Sequence, residues 1–239
     1  MIDTRLYTGR ASLLSIIFKQ HHYLILAISL LVMLTSNCSK KAPATVSDID
    51  GNIYRTVVIG SQVWMAEDLR VTRYRNGEPV FHISRPREWI EATEGAYCFY
   101  NNDSTRSKER LYNWYAVNDN RLLAPEGWHI PTDEEIQELI DYLGEDENAG
   151  DKMKIKGATF WRCTNRTATN ESKFSALANG YRHGYYGTFN LKGYNAGYWT
   201  STENESETAW LRMLNCTDGN VSRSYVEKRT GLSIRCIMD

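Results

Sequence analysis

Residues 203–207 read Glu-Asn-Glu-Ser-Glu, and Trp199 and Trp210 stand on either side of them. Carboxylates gathered this closely could ligate calcium or accept hydrogen bonds from a sugar. The runs at 198–202 and 209–213 have the composition of successive strands, so the acidic stretch is expected to be the solvated turn between them. A second candidate set is aromatic. Tyr181, Tyr185, Tyr186 and Tyr194 lie in a Gly-punctuated region from Gly180 to Gly197, where rings can stand exposed and stack on a sugar or a partner protein. Tyr198 and Trp199 in the following strand are expected to fill the core.

Other chemistry finds little support in the residue pattern. After residue 40 the histidines are His82, His129 and His183, and none has a second ligand at metal-site spacing. His129, between Trp128 and Ile130 at a helix entry, reads as a hydrogen-bonded structural residue. There is no HExxH, GxSxG or Gly-rich phosphate loop. Asp48–Gly51 opens like a calcium loop, but the later ligands and the closing glutamate are missing. No metal or cofactor is therefore expected, and calcium would have no motif to hold it. A formal charge of -1 gives nucleic acid no electrostatic foothold. Fifteen tyrosines and seven tryptophans against six phenylalanines favour rings that keep a polar handle at half-buried places.

The elements that must carry these residues begin after a distinct N-terminal segment. Tyr23–Leu34 is uncharged and apolar, too short to span a bilayer comfortably but of signal-peptide length. Lys19, His21 and His22 precede it, and Cys38 follows a short polar run. This is the form of a bacterial lipoprotein signal, in which cleavage exposes Cys38 for lipid. Residues 1–37 are read as signal peptide, 38–47 as a polar tether and 48–239 as the folded domain. The expected setting is the bacterial cell envelope, membrane-attached through that lipid and at the outer membrane, with neither face assigned.

Within the domain, 53–59 and 63–65 around Gly60-Ser61-Gln62 predict a hairpin. Residues 111–119 predict one or two helical turns. The clearest helix is 131–146, where Thr132 or Asp133 caps, Ile136, Leu139, Ile140 and Leu143 share a face, and Gly144 stops it. Residues 96–100, 199–202, 209–214, 220–226 and 232–238 read as strands. Two helices followed by strands make an α+β fold. Cys98, Cys163, Cys216 and Cys236 form an even set in an exported chain, which permits three disulfide connectivities, and spacing does not choose among them.

Several stretches, in order, resemble one bacterial family: DIDGNIYRTVVIGSQVWMAEDLRVTRYRNG, AYCFYNND, LYNWYAV, APEGWHIPTDEE, GYRHGYYGTF, GYWTSTE, AWLRML and GLSIRCIMD. The family is the Fibrobacter succinogenes major paralogous domain, common in lipoproteins of Bacteroidetes-type bacteria. More distantly, GWHIPTDEEIQEL and GLSIRC are similar to segments of the formylglycine-generating-enzyme group. That likeness implies a C-type-lectin-like fold: two helices packed on short antiparallel strands, with the opening hairpin and the closing strand paired. It also implies a Cys98–Cys236 disulfide, leaving Cys163 with Cys216. The family pattern WTSTE places Glu203 at a strand end, where it could accept from loop backbone, Arg212 or Arg235. The sugar-binding tripeptides and the later WND of calcium-dependent lectins are absent from the sequence. The resulting expectation is a non-catalytic envelope module that binds glycan or protein. The alternatives are a copper-dependent oxidoreductase of the formylglycine-generating type and a purely structural, fimbria-associated component.

Overall fold

Gly60 adopts a left-handed φ of 61° and, with Ser61, closes the turn between two β-favouring runs; Gln62, expected in the turn, already pairs with Ile59. In the computed structural model, which describes residues 42–239 except 107, 158 and 164–166, these runs are β2 (Ile53–Ile59) and β3 (Gln62–Met65). The expected signal peptide, Cys38 and the first part of the tether lie outside the described residues. The rest of the tether is not all free chain: Thr45–Ser47 forms β1, paired antiparallel with Ile53–Arg55. The short elements that follow are β4 (Phe81–His82), α1 (Pro86–Ile90), β5 (Ala96–Cys98), β6 (Leu111–Tyr112), α2 (Trp114–Val117) and β7 (Trp128–His129). Then come α3 (Asp133–Leu143), α4 (Asp146–Met153), β8 (Tyr181–Arg182) and β9 (Phe189–Asn190). The chain ends in β10 (Asn195–Glu205), β11 (Thr208–Asn215), β12 (Val221–Glu227) and β13 (Ile237–Met238). The fold is mixed α+β, with four helices against mostly short strands among the described residues.

β13 sits between β3 and β7 in a five-stranded sheet, with Ile237 opposite both Trp64 and His129. The beginning and end of the domain are thereby held together. All four residues of β3 are buried, so this sheet has a core on each side. Alternation sorts the side chains: Val63, Met65 and Cys236 join one cluster with Tyr54, Tyr112, Trp199 and Leu211, while Trp64 and Ile237 join another with Ile136, Ile140 and Tyr198.

α3 forms as its local signals require. Thr132 accepts from the Glu135 amide at 3.2 Å, Glu135 returns a bond to the Thr132 amide at 2.8 Å, and Gly144 takes the left-handed stop. The helix docks on the β10–β11–β12 sheet through Asp133, whose carboxylate receives Arg212 at 2.8 Å and Arg223 at 2.6 Å. The predicted helix over 111–119 is shorter than expected. Leu111 and Tyr112 are extended because Tyr112 exchanges two backbone bonds with Leu232, and Asn113 then caps Trp114–Val117. The predicted strand over 232–238 forms a ladder only at Ile237–Met238; before that the chain passes between sheets.

One disulfide joins Cys163 to Cys216 across 5.4 Å between Cα atoms. The implied Cys98–Cys236 bridge is not formed. Cys98 on β5 packs with Trp89, Ala96 and Leu111, whereas Cys236 belongs to the separate cluster around Met65 and Ile234, and both are buried free thiols. Burial in apolar surroundings pushes the Cys98 thiol up to about 12 and raises that of Cys236 as well.

Candidate functional site

The tyrosine-rich region builds a small hairpin. β8 and β9 pair at Tyr181↔Asn190 and Arg182↔Phe189, and the intervening turn is closed by His183 N–H to Thr188 C=O at 2.8 Å and Gly187 N–H to His183 C=O at 2.9 Å. Gly187 has φ 66°, and a Cβ there would lie 2.9 Å from the Pro86 carbonyl oxygen, so the turn is seated directly on α1. Tyr185 and Tyr186 at its tip are 69% and 63% exposed. Their rings meet edge to face with centroids 5.0 Å apart, and Tyr186 continues to His183 at 4.8 Å and His183 to Tyr181 at 6.3 Å. The Tyr185 amide donates to His183 Nδ1 at 3.1 Å, which fixes ring and backbone together. The result is a corner of two perpendicular, solvent-facing rings.

Beneath it lies Arg182, fully buried and without a carboxylate partner among the described residues. Its guanidinium donates to the carbonyls of Gly187 at 3.1 Å, Ile83 at 2.6 Å and Ser84 at 2.8 Å. It stacks over Trp89 at 4.5 Å and Phe189 at 4.9 Å, replacing hydration with carbonyl dipoles and ring faces. Burial lowers its pKa, with the neighbouring Cys98 thiol opposing. Arg182 and His183 were not among the expected contact residues. His183 could have been found as the ring-bearing residue two positions from Tyr185, but Arg182 carries no local signal.

The other expected contacts are elsewhere. Tyr194 is 40% exposed in the next turn, beside the Arg162 guanidinium at 5.9 Å. Glu203 is not in the turn, because β10 runs on through Glu205 and the reversal falls at Ser206-Glu207. Nor does Glu203 pair with Arg212 or Arg235. It pairs with Lys228, whose ammonium also donates to the Ser206 carbonyl at 2.6 Å and stands 4.8 Å over Trp114. Arg212 is engaged by Asp133 and Arg235 by Asp68, which leaves Lys228 as the cation facing this strand end. Trp199 is fully buried and donates to the Tyr112 carbonyl at 2.8 Å, as a core residue. Among the described residues no three His, Cys, Asp or Glu side chains gather as a metal site.

Residues 57–238 match the family model of the Fibrobacter succinogenes major domain. The chain belongs to this family. No curated protein and no solved structure matches it. The family domain thus spans from β2 to β13 and contains both the aromatic turn and the Lys228–Glu203 contact.

His129, also within the family domain, is held between two carboxylates: Asp239 at 2.6 Å from Nδ1 and Glu135 at 2.9 Å from Nε2. Burial opposes its charge, but the bonds to Asp239 and Glu135 outweigh this and raise the ring's pKa above 6.5. A raised folded-state value means the contact adds stability below pH 6.5 and loses it as pH rises through the folded pKa. For a ring this exposed the gain is at most about 1 kcal/mol. Urea midpoints of wild type and His129→Gln should therefore differ at acidic pH and converge at mildly alkaline pH. A gap that widens with rising pH would contradict this.

Proposed function

We propose that this family member is a non-catalytic binding module of the bacterial envelope, lipid-anchored at Cys38, which contacts a glycan through the Tyr185–Tyr186 corner. The observation that carries the reading is the pair of exposed, perpendicular rings on a turn immobilised from below by Arg182 and His183. One ring face can stack on the apolar side of a pyranose while the other ring closes its edge, and each phenol carries a hydroxyl that can meet those of the sugar. A rigid turn avoids the ordering cost that a mobile loop would incur on binding. The fold is read as C-type-lectin-like: the opening hairpin and closing strand are paired, and the helices pack on short strands. The disulfide at Cys216 supports the non-catalytic reading, because it engages one of the two thiols nearest the C-terminal end and leaves Cys236 buried alone.

A glycan array probed with the purified chain tests this, with and without calcium, alongside Tyr185→Ala and Tyr186→Ala. Each ring variant should weaken binding about tenfold, the ~1.4 kcal/mol of a good ring contact, while stability changes by less than about 0.5 kcal/mol at such exposed positions. Binding that requires calcium but ignores both rings would transfer the site to the acidic hairpin. Absence of glycan binding under every condition would reject the reading in favour of a protein partner or a structural role.

A further inference from the structure

A cleft lies away from the aromatic turn. Its volume is about 790 Å³, and Arg55, Thr56, Val57, Val58 and Ile59 line one side of it. A strand face would contribute alternate residues to a cleft; five consecutive ones mean that the edge of β2 lines it. Among the described residues that edge is only partly covered. β1 pairs with Ile53–Arg55, and the Thr56 amide reaches the Ala44 carbonyl at 3.1 Å. There the preceding chain bends at Ala44, Pro43 has no N–H to offer, and Ala42 packs against the first core cluster instead.

Register shows what this leaves open. Ile59 and Gln62 flank the two-residue turn and are a hydrogen-bonded pair, so Val58 opposite Val63 is a non-bonded pair. The N–H and C=O of Val58 therefore point away from β3, toward the cleft, and its side chain is 59% exposed. The opposite wall is the loop at 170–175, which is ordered by its own bonds. The Asn170 side chain accepts from the Ser175 amide at 2.9 Å, and Ser172 donates to the Lys152 carbonyl at 2.7 Å. Lys152 and Lys173 line the cleft without an ion pair among the described residues, whereas Arg55 is held by Glu67 at 2.5 Å. Glu171 is the carboxylate set against the two lysines.

We propose that this edge takes an extended, acidic segment of a partner protein by strand addition. Val58 supplies the backbone hydrogen-bonding pair, and Lys152 and Lys173 meet the carboxylates that an alternating strand presents on one side. The cleft is separate from the aromatic turn and can be tested independently of it.

The experiment is fluorescence anisotropy of the purified full chain with a labelled peptide of alternating Glu and Val. The same peptide N-methylated at alternate amides and a Lys-for-Glu version serve as controls. The Glu-Val peptide should bind, and N-methylation, Val58→Pro, or Lys152→Glu with Lys173→Glu should each weaken it about tenfold or more. Proline is tolerated where the amide faces an open edge, so Val58→Pro should keep its circular dichroism. If that variant does not fold, the N-methylated peptide and the charge reversals still decide the matter. Tyr185→Ala should leave peptide binding unchanged. No binding, or binding indifferent to N-methylation or to charge reversal, overturns the proposal.

Discussion

Asp68→Ala is expected to destabilise the domain by about 3–5 kcal/mol, the cost of leaving one member of a buried ion pair behind. Asp68 and Arg235 are 2% and 1% exposed. Arg235 Nε donates to Asp68 Oδ1 at 2.9 Å, its Nη1 reaches the Met65 carbonyl at 3.2 Å and also bonds the Phe174 carbonyl, and the guanidinium lies 4.2 Å over the Phe174 ring. The second Asp68 oxygen accepts from Asn179 at 2.7 Å. Burial raises the Asp68 carboxyl while Arg235 pulls the other way; Arg235 itself stays charged, with Asp68 raising its pKa against burial. The pair joins β3, the segment before β8 and the closing chain at one point, so its loss would be felt by both large core clusters. Removing the carboxylate strands a guanidinium where water does not reach. Removing both charges does not, so Asp68→Leu with Arg235→Met should recover much of the lost stability. Urea unfolding of the three proteins measures this. A loss below about 1 kcal/mol in Asp68→Ala would refute it, since that is the range of an exposed pair.

The same pair explains why residues 232–238 form a ladder only at their end. Residues 232–238 have strand composition, but Arg235 must reach Asp68 and Ser233 bridges Tyr198, so most of the run serves as a link between sheets. Where determinants are local, the element is legible in the sequence: the capping box at Thr132, the apolar face of α3 and the Gly60 turn all lie within a few residues of what they specify. α4 is not legible in the sequence, because residues 146–153 have no apolar period. Its placement comes from Gly150, whose amide donates to Gly219 at 2.8 Å and whose Cβ, if present, would lie 2.6 Å from that carbonyl. Exposure of Tyr185 and Tyr186 was legible from the surrounding glycines. Their joining with His183, and the support from Arg182, depended on α1 and the 83–84 carbonyls, about a hundred residues earlier in the chain. For Glu203 the sequence leaves loop backbone, Arg212 and Arg235 open as partners; tertiary structure commits Arg212 to Asp133 and Arg235 to Asp68, and Lys228 takes the contact.

Arg182→Met is the second change with a large expected effect, and it separates positioning from contact. Methionine fills much of the space between Trp89 and Phe189 but donates nothing, so the carbonyls of Ile83 and Gly187 lose their partner inside the protein, while that of Ser84 keeps the Asn102 side-chain amide at 3.0 Å. Each buried orphan acceptor costs about 1–3 kcal/mol, and with some relaxation toward water the sum should be about 3 kcal/mol. Lysine does not substitute, because one ammonium cannot reach carbonyls spread around a planar fork. The loss should be local before it is global. The turn is tied to the body of the domain by Arg182 and by the packing of Gly184 and Gly187 against Thr230 and Pro86, whereas β10–β12 form a sheet of their own. Hydrogen exchange should therefore accelerate at the amides of His183 and Gly187 while amides of Leu211 and Leu214 keep their protection. In the same protein the ring corner would lose its fixed geometry, and glycan affinity should fall although Tyr185 and Tyr186 are intact. Tyr185→Ala should do the reverse, losing affinity with exchange unchanged. If Arg182→Met leaves exchange in the turn as slow as in wild type, the buried guanidinium is not what holds the rings in place.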